Sequence, residues 1–165
     1  TGMQVRWRAA VANTGPVTIN VDGQGAIEAR TITNVALPAG YIRTDADTVA
    51  TYDGTRWIVD RQIENGSNAN GAFQRTADGT LLCWGYTTTS STAEVVAVFP
   101  ASFVTSTPAD DVMVTLGVNS TSTTFAISPR FTGMSTTGMS VSAFSAATQN
   151  RIATRVTFIA VGRWY

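Results

Sequence analysis

The sequence predicts an all-β protein, in which a small N-terminal β module precedes an antiparallel β-sandwich. One observation is the composition: charged residues make up 13% of the 165 residues, about half of the usual ~25%. Strand-favouring Thr is frequent, while Lys is absent and Glu is rare. A second observation is the alternation of apolar and polar residues over short stretches, which is typical of half-buried strands. A third is the pair of turn dipeptides Asp53-Gly54 and Asp78-Gly79, each of which separates two such stretches.

The first part of the chain predicts several short strands. Val5 and Trp7 alternate with two arginines, and a similar alternation covers residues 17–21. Residues 49–52 and 55–59 flank a turn, which predicts a hairpin. These elements are typical of a small β module.

A polar segment follows at residues 64–71. It is rich in Asn and Gly, which predicts a connection between two folding units. We therefore place a domain boundary there, with the small β module at residues 1–66 and the β-sandwich at residues 67–165. We expect almost no helix in either part.

The second part predicts six or seven short strands, and their spacing is typical of a sandwich. A hairpin around Asp78-Gly79 begins this part, and the Thr- and Ser-rich stretch 87–92 predicts a solvated loop. The expected strands lie at residues 73–76, 81–86, 94–99, 112–118, 124–128, 139–144 and 155–165.

The last predicted strand is apolar on both faces. Phe158 and Ala160 point to one side of this strand, whereas Ile159, Val161 and Tyr165 point to the other. A sandwich buries only one face of each strand in its own core, so the second face implies a neighbour. The simplest neighbour is another copy of the chain, and we expect a homotrimer.

The ionisable residues exclude several kinds of function. Eleven Arg balance eleven Asp and Glu, so the net charge is zero and we expect no binding of nucleic acid. The absence of His removes the commonest general base and zinc ligand, and the absence of Lys removes Schiff-base and P-loop chemistry. We therefore expect a protein that is not an enzyme and needs no cofactor. The one cysteine, Cys83, lies in an apolar stretch and is expected to be buried.

Membrane and targeting segments are not expected. No stretch reaches the roughly 18 apolar residues of a membrane-spanning helix. No secretory leader is visible either, so we expect no membrane insertion. The sequence starts at Thr1 rather than Met, which indicates a piece of a longer polypeptide.

Three short motifs have ordinary explanations. Gly23-Gln24-Gly25 lacks the third glycine and the following helix of a dinucleotide site. Asp110-Asp111 would place its two carboxylates on opposite faces of a strand, which does not make a glycosidase pair. Asp45, Asp47 and Asp53 could ligate a hard cation, but they lack EF-hand spacing and we expect no metal.

Both parts of the chain resemble regions of bacteriophage tail fibres. The first part resembles a small β module common in such fibres and in spikes, through residues 12–26, 37–40 and 52–57. The second part resembles the C-terminal receptor-binding domain of these fibres, through residues 71–73, 78–85, 98–103 and 158–162. Together the two resemblances cover nearly the whole chain.

The second part is also similar to the H-type lectins, a sugar-binding family of six-stranded antiparallel sandwiches packed as trimers. The resemblance implies a sugar site between neighbouring subunits, with an arginine on a middle strand at the position of Arg130. It also implies a contribution from the loop before the last strand, where the family has an aromatic residue and a histidine. In this chain the loop has neither, and its candidate sugar contacts are Thr148, Gln149, Asn150 and Arg151.

The sequence thus favours a non-enzymatic receptor-binding tip of a phage fibre, or of a spike on a phage-like particle. Such a tip would lie on the particle surface, bind host surface or capsular polysaccharide, and contact other particle components through its N-terminal side. Trp84 and Tyr86 are candidates for a platform on which a sugar ring stacks, although core packing explains them equally well. The alternative is a structural trimerisation cap that binds nothing, and a third possibility is a depolymerase, which needs placed carboxylates.

Overall fold

The computed structural model describes residues 1–104, 112–119 and 127–165, and these residues form strands and loops. The predicted all-β class is confirmed. In the described part of the chain, no helix is long and apolar enough to cross a membrane. The described strands are β1 Gln4–Arg8, β2 Thr18–Ile19, β3 Ile27–Thr31, β4 Asp47–Tyr52, β5 Trp57–Asp60, β6 Glu64–Asn68, β7 Gly71–Arg75, β8 Thr80–Thr88, β9 Val95–Val98, β10 Met113–Asn119, β11 Ile127–Met134, β12 Gly138–Ser145 and β13 Arg155–Arg163.

The chain divides into two compact units. The first comprises Thr1–Glu64 with Thr76–Asp78, and the second comprises Asn65–Arg75 with Gly79–Tyr165. The predicted domain boundary at residues 66 and 67 stays a prediction.

The segment 64–71, which was expected to be a connection, instead forms β6 and the turn into β7. Gly66 and Gly71 are needed for the pairing of β6 with β7 and for the turn between them, rather than for a flexible linker. A Cβ atom on Gly66 would lie 2.3 Å from the Phe73 ring, and Gly71 has a φ of 138°, a value that favours glycine. The polar side chains suit the position of β6 at the edge of its sheet.

The first unit contains a five-stranded sheet with the order β1-β4-β5-β3-β2. β3 and β5 are parallel, and the other neighbours are antiparallel. Trp57 and Val59 of the central strand are buried, together with Leu37 and Tyr41 from the chain between β3 and β4. The Tyr41 hydroxyl donates a hydrogen bond to the Val59 carbonyl over 3.2 Å. The Asn13 side chain makes three hydrogen bonds to loop backbone groups, which fixes the loops beside the sheet.

The second unit is a sandwich of two antiparallel sheets. The larger sheet has the order β10-β13-β8-β7-β6, and the smaller has the order β11-β12-β9. Both sheets contribute to one core: Leu81 and Phe158 come from the larger sheet, and Val141 comes from the smaller. The Phe99 ring packs edge-on against Phe103 and Phe158, with centroid distances of 5.2 and 5.7 Å. A single apolar layer therefore holds the two sheets together.

The number of strands differs from the six that the lectin resemblance implied. The described residues of the second unit form eight strands: the seven that the alternation predicted, and β6, which pairs with β7 instead of linking two domains. The strand expected at 124–128 falls mostly outside the described residues, and the strand described there, β11, continues to Met134. The Asp110-Asp111 pair also lies outside them.

The last strand, β13, has one buried and one exposed face. Val156, Phe158 and Ala160 are buried in the core, whereas Ile159 is 51% exposed and Val161 is 37% exposed. The predicted two-faced apolar pattern is therefore confirmed within one chain. The trimer that was expected to cover the outer face stays a prediction.

Candidate functional site

Arg130 on β11 lies over an aromatic ring. Its backbone pairs with Ser142 of β12, and its guanidinium carbon lies 5.0 Å from the centre of the Phe144 ring. Val141 and Ala143 are fully buried in the core, so Ser142 and Phe144 point to the other side of β12, where Ser142 is buried under its neighbours and Phe144 is half-buried. Arg130 is exposed, and within the described residues it makes no hydrogen bond or ion pair.

Arg151 approaches the same ring from the opposite edge of β12. Its backbone bridges to that of Phe144, and its guanidinium carbon lies 5.3 Å from the ring centre. One guanidinium nitrogen donates to the Ser142 hydroxyl over 2.5 Å, and the other lies 3.6 Å from a Glu94 carboxylate oxygen. Thr132 donates to the second oxygen of Glu94 over 2.9 Å. We define these side chains as the arginine cluster: Arg130, Arg151, Phe144, Ser142, Glu94 and Thr132.

Thr148, Gln149 and Asn150 form the exposed tip of the turn that returns the chain to Arg151. The Gln149 amide donates to the Ser145 carbonyl over 2.8 Å, and the Ser145 amide donates to the Asn150 carbonyl over 3.0 Å. Gln149 has a φ of 57°, which closes the turn. The structure therefore brings Arg130 and Arg151 together on one ring. The side chains of Thr148, Gln149 and Asn150, which directly precede Arg151 in the sequence, are exposed.

Arg130 also lines a groove of about 530 Å³ along the β10 and β11 edges of the sandwich. Val114 and Leu116 line it from β10, and Pro129 and Phe131 line it from β11. The Arg130 residue therefore borders a mainly apolar groove as well as the polar cluster.

Trp84 and Tyr86 do not join this site. Both lie on β8 of the larger sheet, whereas the arginine cluster lies on the smaller sheet. Both face outward, since Cys83, which precedes Trp84 on the strand, is fully buried and side chains alternate from there. The Tyr86 ring carries Arg155, whose guanidinium carbon lies 3.5 Å from the ring centre. Core packing therefore does not explain these two aromatic residues, and the predicted sugar contacts divide between opposite faces of one sandwich.

The outer face of the larger sheet is apolar over three strands. The register places Ile159 beside Trp84, and Val161 beside Met113. Met113 is 75% exposed and Tyr86 is 57% exposed, so this surface is open in a single chain. A contiguous exposed apolar patch marks a surface for association. We define it as the apolar face: Met113, Val161, Leu82, Ile159, Trp84 and Tyr86.

Sequence reasoning missed four members of the arginine cluster. The period of two along β12 could have placed Phe144 on the outward face with Ser142. The lectin resemblance directed attention to the loop for an aromatic residue, whereas the ring is supplied by the strand just before it. Glu94 and Thr132 gave no signal, because their proximity depends on how β9 and β11 flank β12.

The acidic residues considered as cation ligands are separately engaged. Asp47 accepts hydrogen bonds from two arginines of β1, and that from Arg8 is the main cause that lowers its pKa. Asp45 pairs with Arg43, which lowers the pKa of Asp45. Asp53 accepts from two backbone amides of its own turn, which lowers its pKa. Across residues 1–104, 112–119 and 127–165, no three Asp, Glu or Cys side chains converge as in a metal site.

Cys83 is confirmed as a buried residue. Its Sγ lies 3.6 Å from the Ala101 carbonyl oxygen, and burial raises the pKa of its thiol to about 11. A thiol with this pKa is protonated at neutral pH, so it is not a nucleophile.

Comparisons with known proteins found a structural likeness to a fibre protein. No family model matches the chain, and no curated protein matches it. Among solved structures, a C-terminal fragment of the R2 pyocin fibre of P. aeruginosa is similar to it, with 19% sequence identity and a TM-score of 0.48. The similar region covers 63% of this chain and 26% of the fibre fragment, so the chain spans about a quarter of that fragment's length.

Proposed function

We propose that the chain is the receptor-binding tip of a phage fibre, or of a spike on a phage-like particle, and that it binds host surface polysaccharide without cleaving it. One observation carries the proposal: the sandwich has two unlike outer faces. The larger sheet exposes the apolar face, and the smaller sheet carries the arginine cluster, of which Arg130, Thr132 and Glu94 are exposed. An apolar surface suits permanent association, and a polar surface with an aromatic support suits a hydrophilic ligand.

The apolar face would be buried between copies of the chain in a homotrimer. Permanent interfaces are more apolar than transient ones, and this face carries Ile159 and Met113 at its exposed centre and edge. Three copies would present three arginine clusters on one rigid body. Weak single sites would then give useful avidity, because the second and third contacts form at high effective concentration.

The role proposed for the arginine cluster is binding, not catalysis. Its one carboxylate, Glu94, accepts a hydrogen bond from Thr132 and lies beside Arg151. Bond cleavage in a polysaccharide usually needs two placed carboxylates. The resemblance to tail-fibre receptor-binding domains supports the same role. Under this proposal the chain would lie on the particle surface, with its N-terminal side toward the other particle components.

A panel of bacterial surface polysaccharides tests the proposal. The full chain should bind at least one member, leave its chain length unchanged, and block attachment of the particle to cells that carry it. The Arg130→Ala variant, with the same mass in solution, should bind more weakly. Shortening of the polysaccharide would overturn the non-catalytic role, and unaltered binding by the variant would overturn the site.

A structural trimerisation cap is the second candidate, and the apolar face favours it by itself. A cap would assemble through this face and need no ligand. The same panel separates the two functions, since a cap would form a trimer and bind none of the polysaccharides.

A further inference from the structure

We propose that the arginine cluster selects polysaccharides that carry carboxylate groups, and that Glu94 competes with the ligand for Arg151. This inference rests on the proposed function and adds the chemical class of the ligand. It begins with the balance of charge in the cluster. Two guanidinium groups flank one ring, and among the described residues one carboxylate, that of Glu94, lies beside Arg151.

Phe144 supports the two arginines instead of a sugar ring. The guanidinium carbons of Arg130 and Arg151 lie 5.0 and 5.3 Å from its centre. A cation over an aromatic face is held by the ring quadrupole, while its N–H groups remain available at the edge of the guanidinium plane. Because arginines already occupy the ring, a ligand meets N–H donors here and recognition depends on hydrogen bonds.

Arg130 provides donors that no described residue uses. A planar guanidinium matches a carboxylate through two parallel hydrogen bonds, and charge-assisted bonds are roughly twice as strong as neutral ones. A sugar hydroxyl offers neither the charge nor the second acceptor. A uronic acid therefore satisfies Arg130 better than a neutral sugar does.

Glu94 shows how a ligand carboxylate would engage Arg151. Its oxygen lies 3.6 Å from the guanidinium nitrogen, which is an ion pair without a close hydrogen bond. Thr132 holds the other oxygen in place over 2.9 Å. A ligand carboxylate that bridges Arg130 and Arg151 would meet the like charge of Glu94. Glu94→Gln removes that charge and retains an oxygen that can accept from Thr132.

Oligogalacturonate and its methyl ester form a matched pair of probes, because they share one sugar chain and differ in charge. Calorimetric titration of the full chain should show at least about 10-fold tighter binding to the acid form, the advantage of a hydrogen bond to a charged group. Arg130→Ala should remove most of that advantage. Glu94→Gln should tighten binding to the acid form by about 2- to 5-fold, the size expected for an exposed charge contact.

Arg8→Ala is the matched control. Arg8 is an exposed arginine of β1, and Asp47 keeps its contact with Arg6 when Arg8 is removed. This variant changes the net charge by the same amount as Arg130→Ala and should bind both probes like the parent chain.

Equal binding of the acid and ester forms would overturn the carboxylate class, and a Glu94→Gln variant that binds the acid form no more tightly would overturn the competition for Arg151. Tighter binding to a phosphorylated mannan than to oligogalacturonate would also overturn it, in favour of phosphate. If neutral polysaccharides bind and Arg130→Ala weakens them, the proposed function survives and only this inference fails. If no polysaccharide of the panel binds and particle attachment is not blocked, both fail.

Discussion

The two outer faces of the sandwich differ in what their exposed side chains can do. On the larger sheet, Ile159, Val161 and Met113 lie side by side across two strands. On the smaller sheet, the exposed apolar residues Val96, Val98 and Phe131 belong to the two edge strands, β9 and β11, and the outward side carries the arginine cluster. Apart from the register shift between Phe131 and Gly133 in β11, side chains alternate between the two sides of each sheet, so the difference comes from the outward residues. One face suits burial and the other suits a polar ligand.

Each face also carries an arginine on an aromatic ring, and the surroundings distinguish the two pairs. Arg155 lies on Tyr86 of the apolar face, and Arg130 lies on Phe144 in a cluster that also contains the exposed hydrogen bond between Thr132 and Glu94. An arginine on a ring is therefore not by itself a ligand site. Access to further donors and acceptors makes the second pair the better candidate.

The largest expected effect comes from a charge placed on the apolar face. Ile159→Glu should abolish the proposed trimer, since each buried unpaired carboxylate would cost roughly 3–5 kcal/mol. Light scattering at micromolar concentration would show a monomer in place of a trimer. Val96→Glu is the control, because Val96 is exposed on the other sheet, and it should keep the parent mass. A variant that keeps the trimer mass would sink the proposed interface.

The next largest effect concerns the inward face of the same strand. Phe158 is buried and packs edge-on against Phe99, so Phe158→Ala should lower the free energy of unfolding by about 3–5 kcal/mol. Urea unfolding measures this, and the Ile159→Glu background removes any contribution from assembly. A loss below about 1 kcal/mol would contradict the assignment of Phe158 to the core.

Cys83 tests the difference between inward and outward positions on β8. Its pKa in the folded chain is about 11, above the ordinary value of 9.0, because burial disfavours the thiolate. Below pH 9 the thiol is protonated in both the folded and the unfolded chain, and the full stabilisation by the buried thiol is present. Between pH 9 and 11 the thiol ionises more readily in the unfolded chain, so that stabilisation is lost as the pH rises. The stability advantage of the parent over Cys83→Ala should shrink by about 2–3 kcal/mol between pH 8 and pH 11. An advantage that does not change with pH would argue against a buried thiol.

The fold was largely predictable, because its main signals are local. Alternation and Asp-Gly turns gave the strands on both sides of Asp53-Gly54 and Asp78-Gly79. The pairing of β6 was not predictable from the same signals. A polar segment with Gly66 and Asn68 is typical of a loop, and only the Phe73 ring beside Gly66 explains why glycine is needed in a strand.

The candidate site was predictable in part. Arg130 and Arg151 followed from the lectin resemblance, and the structure places both on Phe144. The separation of Trp84 from Arg130 could not be predicted, since alternation gives the two faces of a strand but not the sheet that the strand joins. The position of Glu94 depends on the same long-range pairing.

Arg130→Ala should weaken attachment to the bound polysaccharide without changing the assembly. A lost hydrogen bond to a charged group is worth about 1.5–3 kcal/mol per site, and avidity multiplies the loss across a trimer. Binding of the isolated chain to immobilised polysaccharide would give the loss per site, and binding of the whole particle would give the loss multiplied by avidity. Val98→Ala, on the edge strand of the same sheet, is the control and should attach like the parent. If the Arg130→Ala variant attached as well as the parent, the site would not lie on the smaller sheet and the hypothesis of a structural cap would gain support.

The smallest expected effect concerns the turn beside the arginine cluster. The Asn150 backbone accepts from Ser145, but its side chain has no hydrogen-bond partner among the described residues, so Asn150→Ala should leave the fold intact. If the amide contacts the ligand, attachment should weaken by about 0.5–1.5 kcal/mol, the net value of a neutral hydrogen bond. Asn70→Ala, at the exposed turn between β6 and β7, is the matched control and should have no effect. Equal losses in both variants would indicate a general change in the surface, and no loss in either would confine recognition to the two arginines.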